Sequence, residues 1–189
     1  MAASFTILID AREKKPLFFP KNLVIATPNR RIVTAPLHVE TVTLKTGDYA
    51  LSGSNGCLIE RKGSVDEVTQ NTLTRDYSRF MRCLDRLASE SLRPVLLLEG
   101  NPNALLRAPE TTNRAMNRSS KKVRPIPGGA PIDILFRECL SRGIMLWVQP
   151  ASTIPQRRAL GEIVARYLIA GCTLPETVTE PSPTAETVQ

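Results

Sequence analysis

The sequence predicts one α/β domain with a mixed central sheet flanked by helices. Turn-forming residues separate two strand-like segments near residue 50, which is the pattern of an antiparallel hairpin. From residue 76 onward helical and strand patterns alternate, which favours parallel strands joined by crossover helices. The chain has 189 residues, of which 42% are apolar, so it is long enough to bury one core of its own.

Strand patterns dominate the first 44 residues. Residues 4–10 form a short apolar run that predicts a buried strand ending at Asp10, and Glu13 lies in the polar segment just beyond it. Two prolines in residues 14–20 predict a loop or a short helix. Further extended segments are predicted at residues 23–26, 31–34 and 39–44, the last of which contains Glu40.

The predicted hairpin brings together residues that can act on a phosphate group. Residues 52–56 have the composition of a turn, with Asp48 ahead of the first strand and Glu60 near the end of the second. Adjacent antiparallel strands lie about 5 Å apart, so these two carboxylates are close enough to bind one divalent cation. Lys62 points to the same face as Glu60, whereas Arg61 points to the opposite face, where it would brace the fold. Two carboxylates and a lysine on one face are the components of a metal-dependent phosphodiesterase.

Helical patterns follow the hairpin. Ser64 is the predicted N-cap of a short helix that reaches about residue 69, and Asp66 lies in its first turn, where an acidic residue stabilises the helix dipole. Residues 70–74 are expected to interrupt the helical pattern, which resumes over residues 75–91 with one apolar stripe. A row of arginines runs along another face of this helix, namely Arg75, Arg79, Arg82 and Arg86. This row is either a solvated face or a set of phosphate contacts.

Further strands and helices complete the domain. Residues 94–100 are almost continuously apolar, which predicts a strand covered on both faces. The remaining elements are two helices and one strand, predicted at residues 130–142, 155–170 and 144–148. Gly171 is the expected C-cap of the last helix. The folded domain is therefore expected to span residues 1–172, and the Pro- and Thr-rich acidic residues 173–189 are expected to form a disordered tail.

A long basic segment lies between the predicted strand at 94–100 and the next helix. Residues 101–129 show no periodicity, and Glu110 is their only acidic residue. A flexible loop of this length is either functional or an ordinary disordered insertion, and a basic one is suited to clamp a nucleic-acid backbone. The basic residues near its end are Lys121, Lys122 and Arg124.

The charge distribution indicates a polyanionic partner. The net charge is +7, and residues 173–189 contribute three glutamates but no Lys or Arg, so the rest of the chain is more basic than the whole. Excess basic charge can also serve solubility alone. Four widely spaced cysteines and one histidine argue against structural zinc and predict buried thiols in a reducing compartment. No membrane span or signal sequence is recognisable, so we expect a cytoplasmic, nucleoid or nuclear location, not secretion or a membrane.

The motifs follow one another in the order and spacing of a nuclease family. They are Ile-Asp-Ala-Arg-Glu at 9–13, Val-Glu-Thr-Val-Thr-Leu at 39–44, Gly-Asp-Tyr at 47–49, Glu-Arg-Lys-Gly-Ser-Val-Asp at 60–66 and Arg-Pro-Val-Leu-Leu-Leu-Glu at 93–99. Together they strongly resemble the nuclease domain of the XPF-type structure-specific endonucleases, the group that includes the Mus-type and Hef nucleases. The resemblance extends in motif detail from residue 5 to residue 100.

This resemblance implies a restriction-endonuclease-like fold and Mg2+- or Mn2+-dependent cutting of DNA near a junction of duplex and single strands, such as a flap or fork. Asp48, Glu60 and Lys62 match the central catalytic positions of the family, and Asp10 and Glu13 match its acidic positions in the first strand. Three further groups complete the expected site, namely the backbone carbonyl of Arg61 as a metal ligand and the carboxylates of Glu40 and Asp66.

Family members usually carry a tandem helix-hairpin-helix domain after the nuclease domain, and this chain leaves no room for one. We therefore expect DNA binding through the basic segment, through a homodimer or heterodimer, or through another protein. Family nuclease domains also dimerise through their last helices, so the helix at 155–170 is the expected interface, although packing on the sheet explains its apolar stripe equally well.

Two other functions are compatible with the same core. One is a non-catalytic DNA-binding or scaffold subunit, which would be expected to lack part of the acidic set. The other is a Holliday-junction resolvase, which would cut four-way junctions symmetrically.

Overall fold

A mixed seven-stranded sheet with helices on both faces organises the chain, as the sequence predicts. The structure, a computed structural model, describes residues 4–27, 29–54, 56–108 and 126–173. Its strands are β1 (Phe5–Asp10), β2 (Asn22–Ala26), β3 (Ile32–Val42), β4 (Tyr49–Leu51), β5 (Cys57–Lys62), β6 (Arg93–Glu99) and β7 (Met145–Gln149). Its helices are α1 (Val65–Leu73), α2 (Tyr77–Glu90), α3 (Pro102–Arg107), α4 (Ala130–Leu140) and α5 (Ile154–Thr173).

The strand order is β2-β3-β1-β4-β5-β6-β7. β4 pairs antiparallel with both β1 and β5, so the predicted hairpin occupies the middle of the sheet. From β5 onward the pairing is parallel through β6 to β7, with helices in the connections. This half of the sheet confirms the parallel arrangement that the alternating pattern predicts.

Two hydrophobic cores lie on opposite faces of the sheet. α5 covers one face, where Val95 and Leu97 of β6 are fully buried. α1, α2 and α4 cover the other face, where the alternate residues Leu96 and Leu98 are fully buried as well. Burial of each such side chain contributes about 1.5–3 kcal/mol, so the continuously apolar β6 is explained by cover on both sides.

Several boundaries differ from the predictions. The two extended segments around Pro36 form one strand, β3, because residues on both sides of the proline pair with β2 and β1. The segment 14–20, by contrast, forms a loop, which is one of its two predicted alternatives. α1 continues to Leu73, past its predicted end near residue 69. The buried hydroxyls of Thr69 and Thr72 find acceptors within this helix, at carbonyls four residues earlier, at 2.9 and 2.8 Å.

The predicted loop at 101–129 begins with a helix, α3. Asn101 caps it by accepting the N–H of Asn103 at 2.9 Å, and Pro102 occupies the first turn, where its missing N–H costs nothing. Residues 126–129 lead into α4. Lys121, Lys122 and Arg124 lie outside the described residues.

The last helix passes through Gly171 and ends at Thr173, so this glycine is not a C-cap. A Cβ atom at Gly171 would lie 1.9 Å from Sγ of Cys57, which shows that glycine is required there for close packing of α5 on β5. The apolar stripe of α5 packs mostly into the core of its own chain, where Leu160, Val164 and Leu168 are buried. Beyond Thr173 the predicted tail lies outside the described residues.

Two other expectations concern the thiols and the membrane. All four cysteines are free, but only Cys57 and Cys139 are buried, whereas Cys83 and Cys172 are partly exposed. Within the part of the chain that the structure describes, no helix is both long and apolar enough to cross a membrane.

Candidate active site

The β4–β5 hairpin places Asp48 across from Glu60, as the sequence predicts. Tyr49 pairs with Ile59, and the N–H of Asp48 donates to the carbonyl of Ile59 at 2.7 Å. The turn into the hairpin needs Gly47, which has a φ of +77°. The first strand of this hairpin is thereby fixed with the carboxylate of Asp48 beside the end of β5.

A cavity of about 620 Å³ opens at this end of the hairpin. Its floor includes Asp48, Glu60 and Lys62. The loop after β1 contributes another wall, including Lys14 and Lys15. The cavity thus combines carboxylates with several cationic side chains, which suits a phosphodiester and the cation needed to cleave it.

Lys62 lies on the same face as Glu60, as strand alternation predicts. Its Nζ is 2.9 Å from Oε1 of Glu60 and 3.5 Å from Oε1 of Glu67, and it lies 5.3 Å from the centre of the Phe80 ring. Burial lowers the pKa of Lys62, but the attraction and hydrogen bond of Glu60 outweigh this effect and raise the pKa overall. Lys62 is therefore a cation at neutral pH, held in place by three neighbours.

The surroundings of Asp48 disfavour the ionised form of its carboxyl group. Burial and, to a smaller extent, the negative charge of Glu60 together raise the pKa of Asp48 to about 7, against the hydrogen bond from Arg61, which lowers it. The backbone N–H of Arg61 donates to Oδ2 of Asp48 at 2.7 Å. A cation between the two carboxylates would relieve their repulsion and restore the ionised form of Asp48.

Arg61 faces away from Lys62 and braces the fold, as predicted. Its Nε donates to Oε1 of Glu99 at 2.6 Å and its Nη1 to Oε2 of Glu13 at 2.8 Å. Burial lowers the pKa of Arg61, but these two hydrogen bonds outweigh it and raise the pKa, so the guanidinium stays charged. Glu13 lines the cavity as well, but its carboxylate forms an ion pair with Arg61.

The structure places Asp10 behind the cavity and not in its lining. Asp10 is only 2% exposed, and both carboxylate oxygens are in use: Oδ2 accepts from Nε of Arg12 at 2.6 Å, and Oδ1 accepts from the N–H of Leu44 at 3.2 Å. Arg12 does line the cavity. In the structure Asp10 therefore holds Arg12 in place, and the catalytic role that the resemblance implies for Asp10 stays a prediction.

Two other predicted carboxylates also lie away from the cavity. Glu40 is exposed on β3, where it pairs in register with Leu8 of β1. Asp66 is exposed in the first turn of α1 and lines a separate groove. Its neighbour Glu67 lines the cavity and accepts the N–H of Gly63 at 2.9 Å, while a role for Asp66 in the site stays a prediction.

The sequence does carry a signal that marks Glu67. Ser64 accepts the N–H of Glu67 at 3.1 Å, so Ser-Val-Asp-Glu is an N-terminal capping pattern that fixes the glutamate side chain near the helix start. Arg75 and Arg79, the predicted phosphate contacts, are both exposed. Arg75 lies in the turn before α2, outside the helix predicted from residue 75, and Arg79 lies in the first turn of α2, 3.7 Å from Asp76. Their role in DNA binding stays a prediction.

Two cavity residues are not among those predicted from the sequence, because they come from distant parts of the chain. Glu99 ends β6, and Arg157 lies in the first turns of α5; their side chains are 3.1 Å apart. Within the described residues, no group of three or more His, Cys, Asp or Glu side chains is arranged to hold a metal ion. Any cation here would rely on the two carboxylates of the hairpin and on ligands from solvent or substrate.

The mixed sheet and its flanking helices define an α/β domain with the restriction-endonuclease-like core. The chain belongs to the ERCC4 domain family, because the profile of this domain matches residues 9–150, most of its length. This finding confirms the XPF-type nuclease domain that the motifs predict and places the chain in a family of DNA nuclease domains.

A solved structure shares this fold. XPF from Aeropyrum pernix in a complex with DNA is similar at a TM-score of 0.51 and 18% identity, over 87% of this chain and 62% of that chain. Another structure of XPF from Aeropyrum pernix gives a TM-score of 0.49 and 16% identity, over 87% of this chain and 67% of that one. The chain therefore spans less than two thirds of the length of the DNA-bound relative. No curated protein matches the sequence.

Proposed function

We propose that the chain is a divalent-metal-dependent endonuclease that hydrolyses phosphodiester bonds in branched DNA. The observation that carries this proposal is the hairpin that sets Asp48 and Glu60 across from each other, with Lys62 on the same face. Membership of the ERCC4 domain family supports the DNA substrate, and with it a role in repair or recombination. DNA in the complex of XPF from Aeropyrum pernix is further support for the substrate class.

The hairpin carboxylates fit Mg2+, with Mn2+ as a substitute. Mg2+ is commonly held by one or two carboxylates while it keeps several waters, so Asp48, Glu60 and the backbone carbonyl of Arg61 would be sufficient protein ligands. The raised pKa of Asp48 supports this assignment, because its ionisation is unfavourable until a cation is present. When bound, Mg2+ would neutralise charge on the phosphate and make a water molecule more acidic.

Lys62 serves this reaction as a fixed positive charge. Its raised pKa disfavours a role as general base, whereas an ammonium group beside Glu60 would offset the negative charge that develops on the phosphate. Glu67 and the Phe80 ring hold Lys62 from two further sides. Arg12, held by Asp10, would contact an adjacent phosphate at the cavity mouth.

A panel of labelled DNAs tests this proposal. Flap, fork, bubble, four-way and plain duplex substrates would be incubated with Mg2+ or with EDTA, using the wild type and Asp48→Ala. We expect Mg2+-dependent cutting of at least one branched DNA by the wild type alone. Binding without cutting by both proteins would favour the scaffold function, and symmetric cutting of the four-way DNA would favour a resolvase.

A further inference from the structure

Arg157 joins the last helix to the catalytic cavity. It lines the cavity from α5, and its side chain is 16% exposed. Its Nη1 donates to Oε2 of Glu99 at 3.1 Å, and its Nη2 donates to the carbonyl oxygens of Lys15 and Pro16, the latter at 2.8 Å. The guanidinium carbon also lies 5.9 Å from the centre of the Phe18 ring. One side chain thus contacts a strand end and a loop that is 141 residues away in sequence.

The loop at residues 13–18 is held by several other contacts. Glu13 accepts the N–H of Lys15 at 2.8 Å, and the N–H of Leu17 donates to the buried Tyr49 hydroxyl at 3.0 Å. Gly161 of α5 lets the loop approach closely, since a Cβ atom there would lie 2.1 Å from the carbonyl oxygen of Phe18. α5 therefore packs against this loop without a gap, and Arg157 supplies the polar part of the contact.

The charges in this contact are balanced. Glu99 lies between Arg61 and Arg157, with one carboxylate oxygen on each guanidinium, and Arg61 continues to Glu13. Loss of Arg157 would leave Oε2 of a 5% exposed carboxylate without its cationic partner and free two backbone carbonyls from their donor. Both changes act on the segment that carries Lys14 and Lys15.

We propose that Arg157 is a positioning residue that fixes the loop at 13–18, so that Lys14 and Lys15 form a subsite for the DNA phosphate backbone beside the catalytic cavity. The inference rests on the proposed function, since it names part of the DNA surface of the same site. Both lysines are exposed and line the cavity wall, and within the described residues neither forms an ion pair with a carboxylate. Their ammonium groups are thus available for phosphates, whereas Nη1 and Nη2 of Arg157 already donate to groups inside the protein.

Hydrogen exchange on the DNA-free protein tests the positioning step. In Arg157→Met we expect the amides of residues 13–18 to exchange about tenfold faster, as the loss of about one good hydrogen bond implies. Arg157→Lys keeps the charge but cannot reach Glu99 and both carbonyls together, so an intermediate rate is expected. Arg166→Met is the matched control, because Arg166 lies on the same helix and bonds to Glu162 and the carbonyl of Val24.

DNA binding and cleavage test the subsite. Replacing Lys14 and Lys15 by Gln should weaken binding and reduce the slope of log K against log salt by about 1 to 2, because each phosphate contact contributes about 0.9. KM for cleavage should rise by a larger factor than kcat falls. Arg157→Met should raise KM in the same direction, Arg157→Lys should raise it less, and Arg166→Met should leave it unchanged.

Two results would overturn the inference: loop exchange in Arg157→Met that equals the wild type, or an unchanged salt slope in the double lysine variant. A wild type that binds DNA but cuts none would overturn the proposed function instead. In that case the exchange rates and salt slopes still decide the roles of Arg157 and the two lysines.

Discussion

Arg61 donates its backbone N–H to Oδ2 of Asp48 at 2.7 Å, while its guanidinium on the other face of β5 joins Glu13 to Glu99. One residue therefore holds a candidate metal ligand by its main chain and the supporting charges by its side chain. Arg61 thus links the candidate active site to the buried ion pairs on the other face of β5.

The side chain of Arg61 is expected to be essential for stability. Arg61→Met would leave Glu13 and Glu99 buried without this partner, and breaking a buried pair in this way costs about 3–5 kcal/mol of the free energy of unfolding. Urea unfolding measures the change. Arg137→Met, which removes an exposed ion pair with Glu138, is the control and should stay within about 0.5 kcal/mol of the wild type. Equal effects of the two substitutions would contradict the bracing role.

Asp48 should make the metal-free protein less stable at high pH. Its pKa in the folded protein is about 7, above the value of about 3.9 in an unfolded chain, so the folded state binds the proton more tightly. The associated stability is fully present below about pH 4 and is lost as the pH rises through about 7. Asp48→Asn removes this dependence and should be more stable than the wild type at pH 8, by roughly 1–3 kcal/mol.

Thermal unfolding in EDTA at pH 4 and pH 8 measures this difference between Asp48→Asn and the wild type. The two proteins should be similar at pH 4 and separate at pH 8. Adding Mg2+ at pH 8 should raise the Tm of the wild type more than that of the variant. If the wild type is more stable than Asp48→Asn in EDTA at pH 8, ionised Asp48 does not destabilise the folded protein and the prediction is wrong.

Glu67 should matter more for cleavage than its neighbour Asp66. Glu67→Gln removes the charge near Lys62 and weakens the bond to the N–H of Gly63, so we expect the cleavage rate to fall roughly threefold to tenfold. Asp66→Asn affects only an exposed helix position and should change the rate by less than about twofold. Single-turnover cleavage of the preferred DNA compares them, and a larger loss in Asp66→Asn would refute the assignment.

A side chain at Gly171 is expected to disrupt the packing of α5 on β5. Gly171→Ala would place a methyl group 1.9 Å from Sγ of Cys57, and overpacking of this kind costs about 1–3 kcal/mol. Cys57→Ala removes that sulfur, so the double variant should lose less stability than the sum of the single variants. Chemical denaturation of the four proteins gives this coupling, and strict additivity would mean that the two residues do not meet.

The central part of the site could be predicted because its residues are close in sequence. A tight turn and the two-residue period of strands were enough to bring Asp48, Glu60 and Lys62 together and to turn Arg61 to the other face. The continuously apolar β6 likewise predicted its own burial on both sides.

The supporting groups could not be predicted by such local rules. The tasks of Asp10 depend on how β1 and β3 are aligned, which decides that the N–H of Leu44 reaches its carboxylate. Arg157 and Glu99 are 58 residues apart, and they meet only because α5 crosses the sheet face beside the end of β6. No periodic pattern in the sequence marks such a long-range pair of opposite charges.

Single-turnover cleavage of a labelled branched DNA, as Mg2+ is added back to EDTA-treated protein, tests the metal-dependent nuclease most directly. The wild type should show no cutting without Mg2+ and a saturable rise in rate as Mg2+ is added. Asp48→Asn and Glu60→Gln, with DNA binding retained, should cut at least about a hundredfold more slowly, as expected when a ligand of the catalytic ion is lost. Cleavage that continues in EDTA, or that both variants carry out at the wild-type rate, would contradict the account.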